Sequence, residues 1–308
     1  MKAILMDRHG GLDVLRYGDL PDPVAEAGQV VVDIHAASIN GADAKVREGG
    51  AYSNVSNFPY VLGRDFSGIV ASLGAGVTDF RIGDAVFGVL AAGRDGTYAE
   101  KVAEKATILC RKPNTLSHVE AAALALVGLT ALVSIEDTLK LKRGETVLIQ
   151  GGAGGVAGFA IQLGKHIGAR VITTTSAANR DYVTGLGADQ VIDYNKEDFT
   201  KVVTNADAVF ETVGGDVASR SFAVLKPGGR AAFIASGGSA PVSPRSDVQS
   251  LRPAVGRDRP HLERILELHA ANAIRVPEIR VFPLRDAAEA QRISEGRHFR
   301  GKLVLQVR

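Results

Sequence analysis

The stretch TVLIQGGAGGVAGFAIQLG, residues 146–164, ends an apolar run at Gln150 and then places small residues at Gly152, Gly154 and Ala157. In a strand–turn–helix context this G-x-G-x-x-A spacing is a dinucleotide-binding pattern. Gly152 is expected to permit the tight turn, Gly154 to let the backbone approach a pyrophosphate, and Ala157 to pack helix on strand. The turn itself, with Gly152, Ala153, Gly154, Gly155 and Val156, is expected to carry the phosphate contacts. The backbone N–H groups that open the helix, and its dipole, favour an anion there. The next strand end, VITTTSAANRDY, has no acid before Asp181. An acid at that place would bind a ribose 2′-hydroxyl. Thr175, Ser176 and Arg180 stand there instead, and hydroxyls with a guanidinium suit a 2′-phosphate. NADPH is therefore expected over NADH.

A second set of polar residues lies in INGADAKVREGGAY, residues 39–52. Asn40, Asp43, Lys45 and Tyr52 offer donors and acceptors for a reacting oxygen. Each also has a structural reading. Asn40 is a candidate turn residue, Asp43 a candidate helix cap, Lys45 a solvent-exposed cation and Tyr52 a packing aromatic, with Tyr60 as an alternative to it. Further along, YVLGRDFSG sets Arg64 and Asp65 between Gly63 and Gly68. These two are expected to form a charge pair at the entry to a strand.

The elements that must position these groups are legible in outline. KAILM, QVVVDIHAASI, FSGIVASLG and DAVFGVL are short apolar runs punctuated by Gly and Asp, which predicts a compact β-rich domain. From residue 144 the texture alternates. ETVLIQ, ARVITTT, QVIDY, ADAVFET and GRAAFIA read as buried strands with helical segments between them, the signature of a parallel sheet with crossovers. A Ser-, Pro-, Gly- and Arg-rich stretch follows at 236–260, with an edge strand expected at 247–255. The segments PHLERILELHAANAI and PLRDAAEAQRISEG read as amphipathic helices, and KLVLQV as a final strand. This tail is expected to return to the first domain.

Apolar residues make up 45% of the 308 residues and the formal charge is +2. Such a balance speaks against a dedicated nucleic-acid binder. The single cysteine, Cys110, excludes an internal disulfide and a cysteine-based zinc site. His261 and His269 lie eight apart on an expected helix and lack a third ligand, so no metal is expected. The longest apolar run, 119–133, includes Glu120 and falls short of the ~20 residues of a membrane span. A soluble cytoplasmic protein is the expectation.

The motifs QGGAGGVAG, AAALALVGLTAL, GADQVIDY, RIGDAVFG, DGTYAEKV and HFRGKLVL, taken in this order, resemble the medium-chain dehydrogenase/reductase superfamily. The resemblance covers nearly the whole chain. It implies an α/β protein with a GroES-like catalytic domain built from residues 1–118 and 259–308, and a Rossmann cofactor domain at 119–258. Zinc members carry a Cys where this chain has Asn40, and Gly-His-Glu where it has Gly63, Arg64 and Asp65. A four-Cys lobe is also missing. The chain thus resembles the zinc-independent branch, the quinone oxidoreductases and enone or alkenal reductases.

That resemblance implies roles as well. Asn40 and Tyr52 match positions lining the substrate cleft, and Asp43 with Lys45 fits an N-P-V-D-x-K pattern in which Gly41 replaces the usual Pro. Hydride would pass from NADPH to a quinone or to the β-carbon of an activated C=C. Asn40 and Lys45 would steady the oxygen, and Tyr52 or water would supply the proton. Thr130 would help hold the nicotinamide side and Tyr194 the adenosine ribose phosphate. Val213 and Ala235 would end later strands at the ligand edge. An enoyl-thioester reductase and a non-catalytic NADPH-binding protein that serves structurally or binds RNA are the alternatives. A homodimer paired through the 247–255 edge is the expected assembly, with no nucleic-acid or membrane partner.

Overall fold

β-Branched and aromatic runs become strands wherever turn residues bound them on both sides. The computed structural model describes residues 1–50, 53–91 and 93–308, so Tyr52 lies outside the described residues. The contacts divide the chain into two units. One comprises Met1–Leu126, Arg257–Arg264 and Glu278–Arg308; the other comprises Val127–Gly256 and Ile265–Pro277.

The first unit is β-rich. Its strands are β1 (Lys2–Met6), β2 (Leu15–Asp19), β3 (Gln29–Ser38), β4 (Tyr60–Val61), β5 (Asp65–Leu73), β6 (Ala85–Val89), β7 (Lys101–Lys105) and β8 (Leu109–Arg111). In the second unit follow β9 (Thr146–Ile149), β10 (Arg170–Thr175), β11 (Gln190–Asp193), β12 (Ala206–Glu211), β13 (Leu225–Phe233) and β14 (Gln249–Leu251). The chain then returns to the first unit with β15 (Ile279–Pro283) and β16 (Lys302–Gln306).

In the first unit a large sheet runs β15-β16-β3-β5-β6-β8, with β7 also paired to β3, and a smaller sheet runs β2-β1-β4. Its core includes Ile4, Met6, Val32, Ile34, Phe66, Leu90, Tyr98 and Leu305. Two antiparallel registers matter for function. β3 meets β5 with Ala37 opposite Phe66, and meets β16 with Ser38 opposite Val304. Extending each by a residue or two brings the exit of β3 between the start of β5, at Asp65, and the start of β16, at Lys302. Immediately after that exit the chain forms helix α1 (Gly41–Glu48). The helical turn that Asp43 was expected to cap is an eight-residue helix, with Asn40 at its N-cap and Asp43 three residues on.

The second unit is a parallel sheet in the order β11-β10-β9-β12-β13-β14. Relabelled within the unit this is 3-2-1-4-5-6, the doubly wound dinucleotide-binding order, with its switch point between β9 and β12. Leu148, Ile172, Ile192, Val209, Phe222 and Phe233 fill its core. The edge strand β14 covers three residues, shorter than the 247–255 expected, because Pro253 and Gly256 follow it closely.

Helix α2 (His118–Leu132) continues through a π-helical turn at Val133–Thr138. The whole is long and apolar enough to cross a bilayer by length and composition, which the run of 119–133 alone did not suggest. Most of its side chains are buried within the protein, as in the core helix of a globular fold.

Candidate active site: a dinucleotide turn and a metal-excluding polar cluster

Most of the residues expected to face a cofactor lie in the second unit, at or just beyond the carboxyl ends of its strands. The turn after β9 leads into helix α3 (Gly155–Ile167), with Gly154 as its extended N-cap and no acid in the first turn. The first intrahelical bond is donated by Gly158 N–H to Gly154 O at 2.7 Å. The N–H groups of Gly155, Val156 and Ala157 therefore have no acceptor within the helix and point out of its start. An anion fits that array, and Gly154 leaves it room, since a Cβ there would meet nothing closer than 3.5 Å.

Gly152 has a different task from the one expected of it. The left-handed residue of the turn is Gly151, at φ +72°. A Cβ on Gly152 would stand 2.3 Å from Thr173 Oγ1, so Gly152 is needed for close approach to β10. Neighbouring hydroxyls brace the turn. Thr174 Oγ1 accepts from Gly151 N–H at 3.1 Å and donates to Gln150 Oε1 at 2.7 Å. Thr212 Oγ1 donates to Gln150 O at 2.8 Å. The run TTT in β10 was the signal for this bracing, and sequence reading took only its last member.

Thr175 ends β10 buried, Ser176 follows half-buried, and Arg180 is exposed at the start of helix α4 (Arg180–Gly185), donating to Val191 O at 3.1 Å. The nearest acid in register is Asp193, opposite Thr175 on β11. Asp193 is buried and accepts from Asn195 N–H at 3.1 Å within its own turn. Tyr194, just beyond β11, is half exposed. Val213 N–H and Gly214 N–H both donate to Glu211 Oε1, at 2.7 and 2.8 Å, and Ala235 follows β13 beside Gly214. Glu211 is a residue that sequence reading missed: wholly buried at the tip of β12, it shapes the loop carrying Val213, and burial raises its pKa. Thr130 lies on α2, where its carbonyl accepts from Ser134 Oγ at 2.6 Å.

In the first unit the structure builds a polar cluster around Asn40. Lys302 Nζ donates to Asn40 Oδ1 at 2.9 Å and to Ile39 O at 2.6 Å. Asn40 Nδ2 donates to Asp65 Oδ1 at 3.0 Å and to Ser38 O at 3.1 Å. A lysine donates only, so the amide orientation is settled by its partners. Both amide hydrogens are spent inside the protein. The oxygen-steadying role expected for Asn40 is thus corrected to that of a clamp joining β3, β5 and β16. Lys302 is 4% exposed, and burial lowers its pKa against the pull of Asp65 and Asp43. It stands in the quoted motif HFRGKLVL, yet a lysine entering an apolar strand carries no sign of being buried.

Asp43 is also corrected from a catalytic candidate to a structural one. Its Oδ2 accepts from Asn40 N–H at 2.8 Å, capping α1, and from Tyr98 O–H at 2.6 Å. It is wholly buried, and desolvation lifts its pKa to about 7. Lys45 is half-buried in the last turn of α1. Arg64 finds its partner far along the chain: Nε donates to Asp95 Oδ1 at 2.9 Å and lies 4.0 Å from Asp43 Oδ1. Tyr60 O–H donates to the other oxygen of Asp95 at 2.9 Å. Asp65, expected to pair with Arg64, instead accepts from Ser38 Oγ at 2.7 Å, Asn40 Nδ2, and Leu126 N–H at 3.3 Å. Gly63, just before Arg64, is left-handed at φ +96°, and a Cβ there would meet Tyr98 and Thr97 at 2.4 Å, so it lets the chain pass close to Tyr98.

A nucleotide-ready parallel sheet and a β-rich unit assembled from both ends of the chain together define a dehydrogenase/reductase of the two-unit kind. The comparisons with known proteins make this specific. Residues 26–125 match the alcohol dehydrogenase GroES-like domain, and residues 186–305 match the family described as zinc-binding dehydrogenase. The chain is 31% identical to the chloroplastic NADPH-dependent alkenal/one oxidoreductase of Arabidopsis thaliana, over 99% of this chain and 79% of that protein. The quinone oxidoreductase of Coxiella burnetii superposes with a TM-score of 0.93 at 36% identity, covering 100% of this chain and 99% of that one. The Escherichia coli quinone oxidoreductase solved with NADPH superposes with a TM-score of 0.90 at 27% identity, with both chains fully covered. The chain belongs to the medium-chain dehydrogenase/reductase superfamily, in the branch of the quinone and alkenal oxidoreductases.

One matched family is described by zinc, so the donors present must be tested against that ion. Zinc takes thiolate, imidazole and carboxylate ligands. The cluster offers an amide whose polar atoms are all engaged, two cations in Arg64 and Lys302, and a carboxylate, Asp65, that already accepts from three donors. These residues do not fit zinc.

Proposed function

We propose that the protein is an NADPH-dependent, metal-independent oxidoreductase that reduces quinones or the activated C=C of α,β-unsaturated carbonyl compounds. What carries this reading is the presence in one chain of a phosphate-ready turn at the switch point of a doubly wound sheet and a polar cluster that cannot hold zinc. NADPH, when bound, supplies the hydride. The N–H groups of Gly155, Val156 and Ala157 hold its pyrophosphate, with Gly152, Ala153 and Gly154 shaping the approach. Thr175, Ser176 and Arg180 receive the 2′-phosphate, with Tyr194 beside the adenosine ribose. Thr130, Val213 and Ala235 serve the nicotinamide side.

Hydride arriving at the β-carbon pushes the π electrons onto the carbonyl oxygen, and a proton then reaches the α-carbon. The protein must stabilise that oxygen with donors held in place beforehand. Lys45 and Tyr52 are proposed for the oxygen and the proton. Asn40 acts on them indirectly, by fixing where β3 ends and α1 begins. The short parallel edge strand β14 supports a homodimer paired through that edge, which sedimentation showing monomer alone would refute.

The deciding experiment is NADPH and NADH oxidation across quinones, enones, alkenals and enoyl thioesters. Turnover with NADPH on quinones or enones is expected. Tight NADPH binding with no oxidation on any member would favour the non-catalytic reading, and a preference for thioesters would favour the enoyl-thioester one.

A further inference from the structure

Glu211 closes β12 with its side chain wholly buried. Its Oε1 accepts from Val213 N–H at 2.7 Å and from Gly214 N–H at 2.8 Å. Its Oε2, also buried, has no hydrogen-bond partner among the described residues. Half of a buried carboxyl is thus left unsatisfied, which costs stability, and burial pushes its pKa up. Stability alone would place an apolar or fully bonded side chain at that position. The two bonds it does make fix the loop that follows. Both peptide groups are trans, and in a planar trans peptide the C=O points opposite to the N–H. With the N–H groups of Val213 and Gly214 drawn to one oxygen, the carbonyls of Thr212 and Val213 turn away from the carboxyl.

We infer that Glu211 is the positioning residue of the nicotinamide half of the NADPH site, acting through loop 212–214 and leaving the phosphate half untouched. The inference rests on the cofactor contacts proposed above and adds the side chain that sets them. The order of the strands says which half is concerned. The pyrophosphate belongs at the helix start after β9, and the adenosine ribose at the end of β10, on one side of β9. On the other side β9 is bonded to β12. The remaining half of the dinucleotide therefore extends over the tip of β12, where Glu211 stands. The chemistry agrees. A carboxamide N–H₂ and ribose hydroxyls are donors, and outward carbonyls are acceptors. An apolar side chain at position 211 would release two N–H groups and with them the orientation of both carbonyls.

The loop is seated tightly on both neighbours, so its placement is local and exact in origin. Thr212 Oγ1 donates to Gln150 O at 2.8 Å, at the base of the cofactor turn. A Cβ on Gly151 would lie 3.1 Å from Val213 Cγ2, and one on Gly214 would lie 3.0 Å from Ala235 O. Gly214 itself is left-handed at φ +87°. The ends of β9, β12 and β13 thus meet at this loop, and the Glu211 carboxyl is the group that holds its N–H side down.

The test compares two ligands on the full-length protein by titration calorimetry. One is NADPH. The other is 2′-phospho-ADP, which keeps the adenosine, the 2′-phosphate and the diphosphate and lacks the nicotinamide riboside. Glu211→Leu is expected to weaken NADPH about tenfold, the size of one or two lost hydrogen bonds, and to leave 2′-phospho-ADP unchanged. Glu211→Gln keeps an oxygen for both N–H groups and is expected to bind both ligands like wild type. A folded Glu211→Leu protein with wild-type affinity for NADPH, or with equal losses for the two ligands, overturns the positioning role. So does a Glu211→Gln protein as weak as Glu211→Leu. If Glu211→Leu fails to fold, Glu211→Asp decides, its carboxyl being one methylene short of the loop: a several-fold loss for NADPH alone supports the role, and any other pattern rejects it. The readout is binding, so a protein that oxidises NADPH with no quinone or enone would overturn the reductase reading and leave this inference to be judged on the two affinities.

Discussion

Tyr98 donates its hydroxyl to Asp43 Oδ2 at 2.6 Å, with both side chains wholly buried. Burial raises the Asp43 pKa to about 7, against the opposing pull of Arg64 and the Tyr98 and Asn40 donors. An unfolded aspartate titrates near 3.9. Between those values the folded protein keeps a proton that the unfolded chain has lost. Stability from this group is present below about pH 4 and drains away as pH rises through 7. Asp43→Asn, whose carbonyl can accept from the same two donors, should flatten that dependence. Urea unfolding at pH 5 and pH 8 should show wild type losing about 2 kcal/mol relative to the variant. Parallel pH curves for the two proteins would contradict this.

The clamp on Asn40 makes a separate prediction. Lys302→Met removes the donor to two buried acceptors, Asn40 Oδ1 and Ile39 O. Leaving buried acceptors unpaired costs about 1–3 kcal/mol each, partly offset because a buried charge is also removed. Chemical denaturation should report a net loss of about 2 kcal/mol. The second unit's NADPH affinity should hold at temperatures where the variant stays folded.

Histidine 118 should set the acid side of the stability curve. Ser67 Oγ donates to Val86 O at 2.9 Å, so across the 2.7 Å contact it is His118 Nδ1 that carries the proton. Burial, then the His35 ring tilted against it at 4.4 Å and Lys112, push the His118 pKa down to about 4. Unfolded histidine titrates near 6.5. Stability is therefore full above about pH 6.5 and is lost as pH falls toward 4. His118→Asn keeps a donor to Ser67 and does not titrate. Its thermal midpoint should fall less than that of wild type between pH 7 and pH 5, by an amount equivalent to about 1 kcal/mol after allowance for partial exposure.

How much of this was legible in the sequence depends on range. The unit from Thr146 to Thr175 was readable because strand, turn and helix are local and their periods differ. The assignment of the left-handed turn residue went one position astray, to Gly152 from Gly151, because adjacent glycines are indistinguishable until φ is known. The GroES-like side was harder. Asn40, Asp65 and Lys302 are brought together by two antiparallel registers, and register over such separations leaves no mark in local composition. The same holds for Arg64: its sequence neighbour Asp65 looked like its partner, whereas the fold supplies Asp95. The start of helix α1 was legible from Asp43 as a cap, but its eight-residue length was not, because GADAKVRE is short and has Gly at its start.

Cofactor choice is tested at the end of β10. Arg180 is exposed and no acid precedes it on that strand end, which favours a 2′-phosphate there. Arg180→Ala should weaken NADPH about tenfold, near the 1.4 kcal/mol of one charge-assisted contact, and leave NADH unchanged. Fluorescence titration of both nucleotides reads this directly. An equal loss for NADH would assign Arg180 to the shape of the loop instead.

The two glycines of the turn should fail in different ways. A Cβ on Gly152 would lie 2.3 Å from Thr173 Oγ1 and 3.1 Å from Ile161 Cδ1. Thr173 cannot swing aside cheaply, because its hydroxyl donates to Ile149 O at 2.7 Å inside the sheet. Gly152→Ala should therefore destabilise the second unit by about 1–3 kcal/mol, the usual cost of overpacking. Its weaker NADPH binding would follow from that strain. Gly154→Ala meets only Gly151 O, at 3.5 Å, and its backbone is in an ordinary extended conformation. It should melt like wild type and still lose NADPH affinity by tenfold or more, because the methyl group stands where the phosphate must approach. Thr173→Ala supplies the control. Combined with Gly152→Ala it removes the obstructing hydroxyl, so the double variant should be more stable than the sum of the two single losses predicts. Combined with Gly154→Ala it should rescue nothing. Additive losses in the first pair would mean that Gly152 is required for something other than its approach to β10.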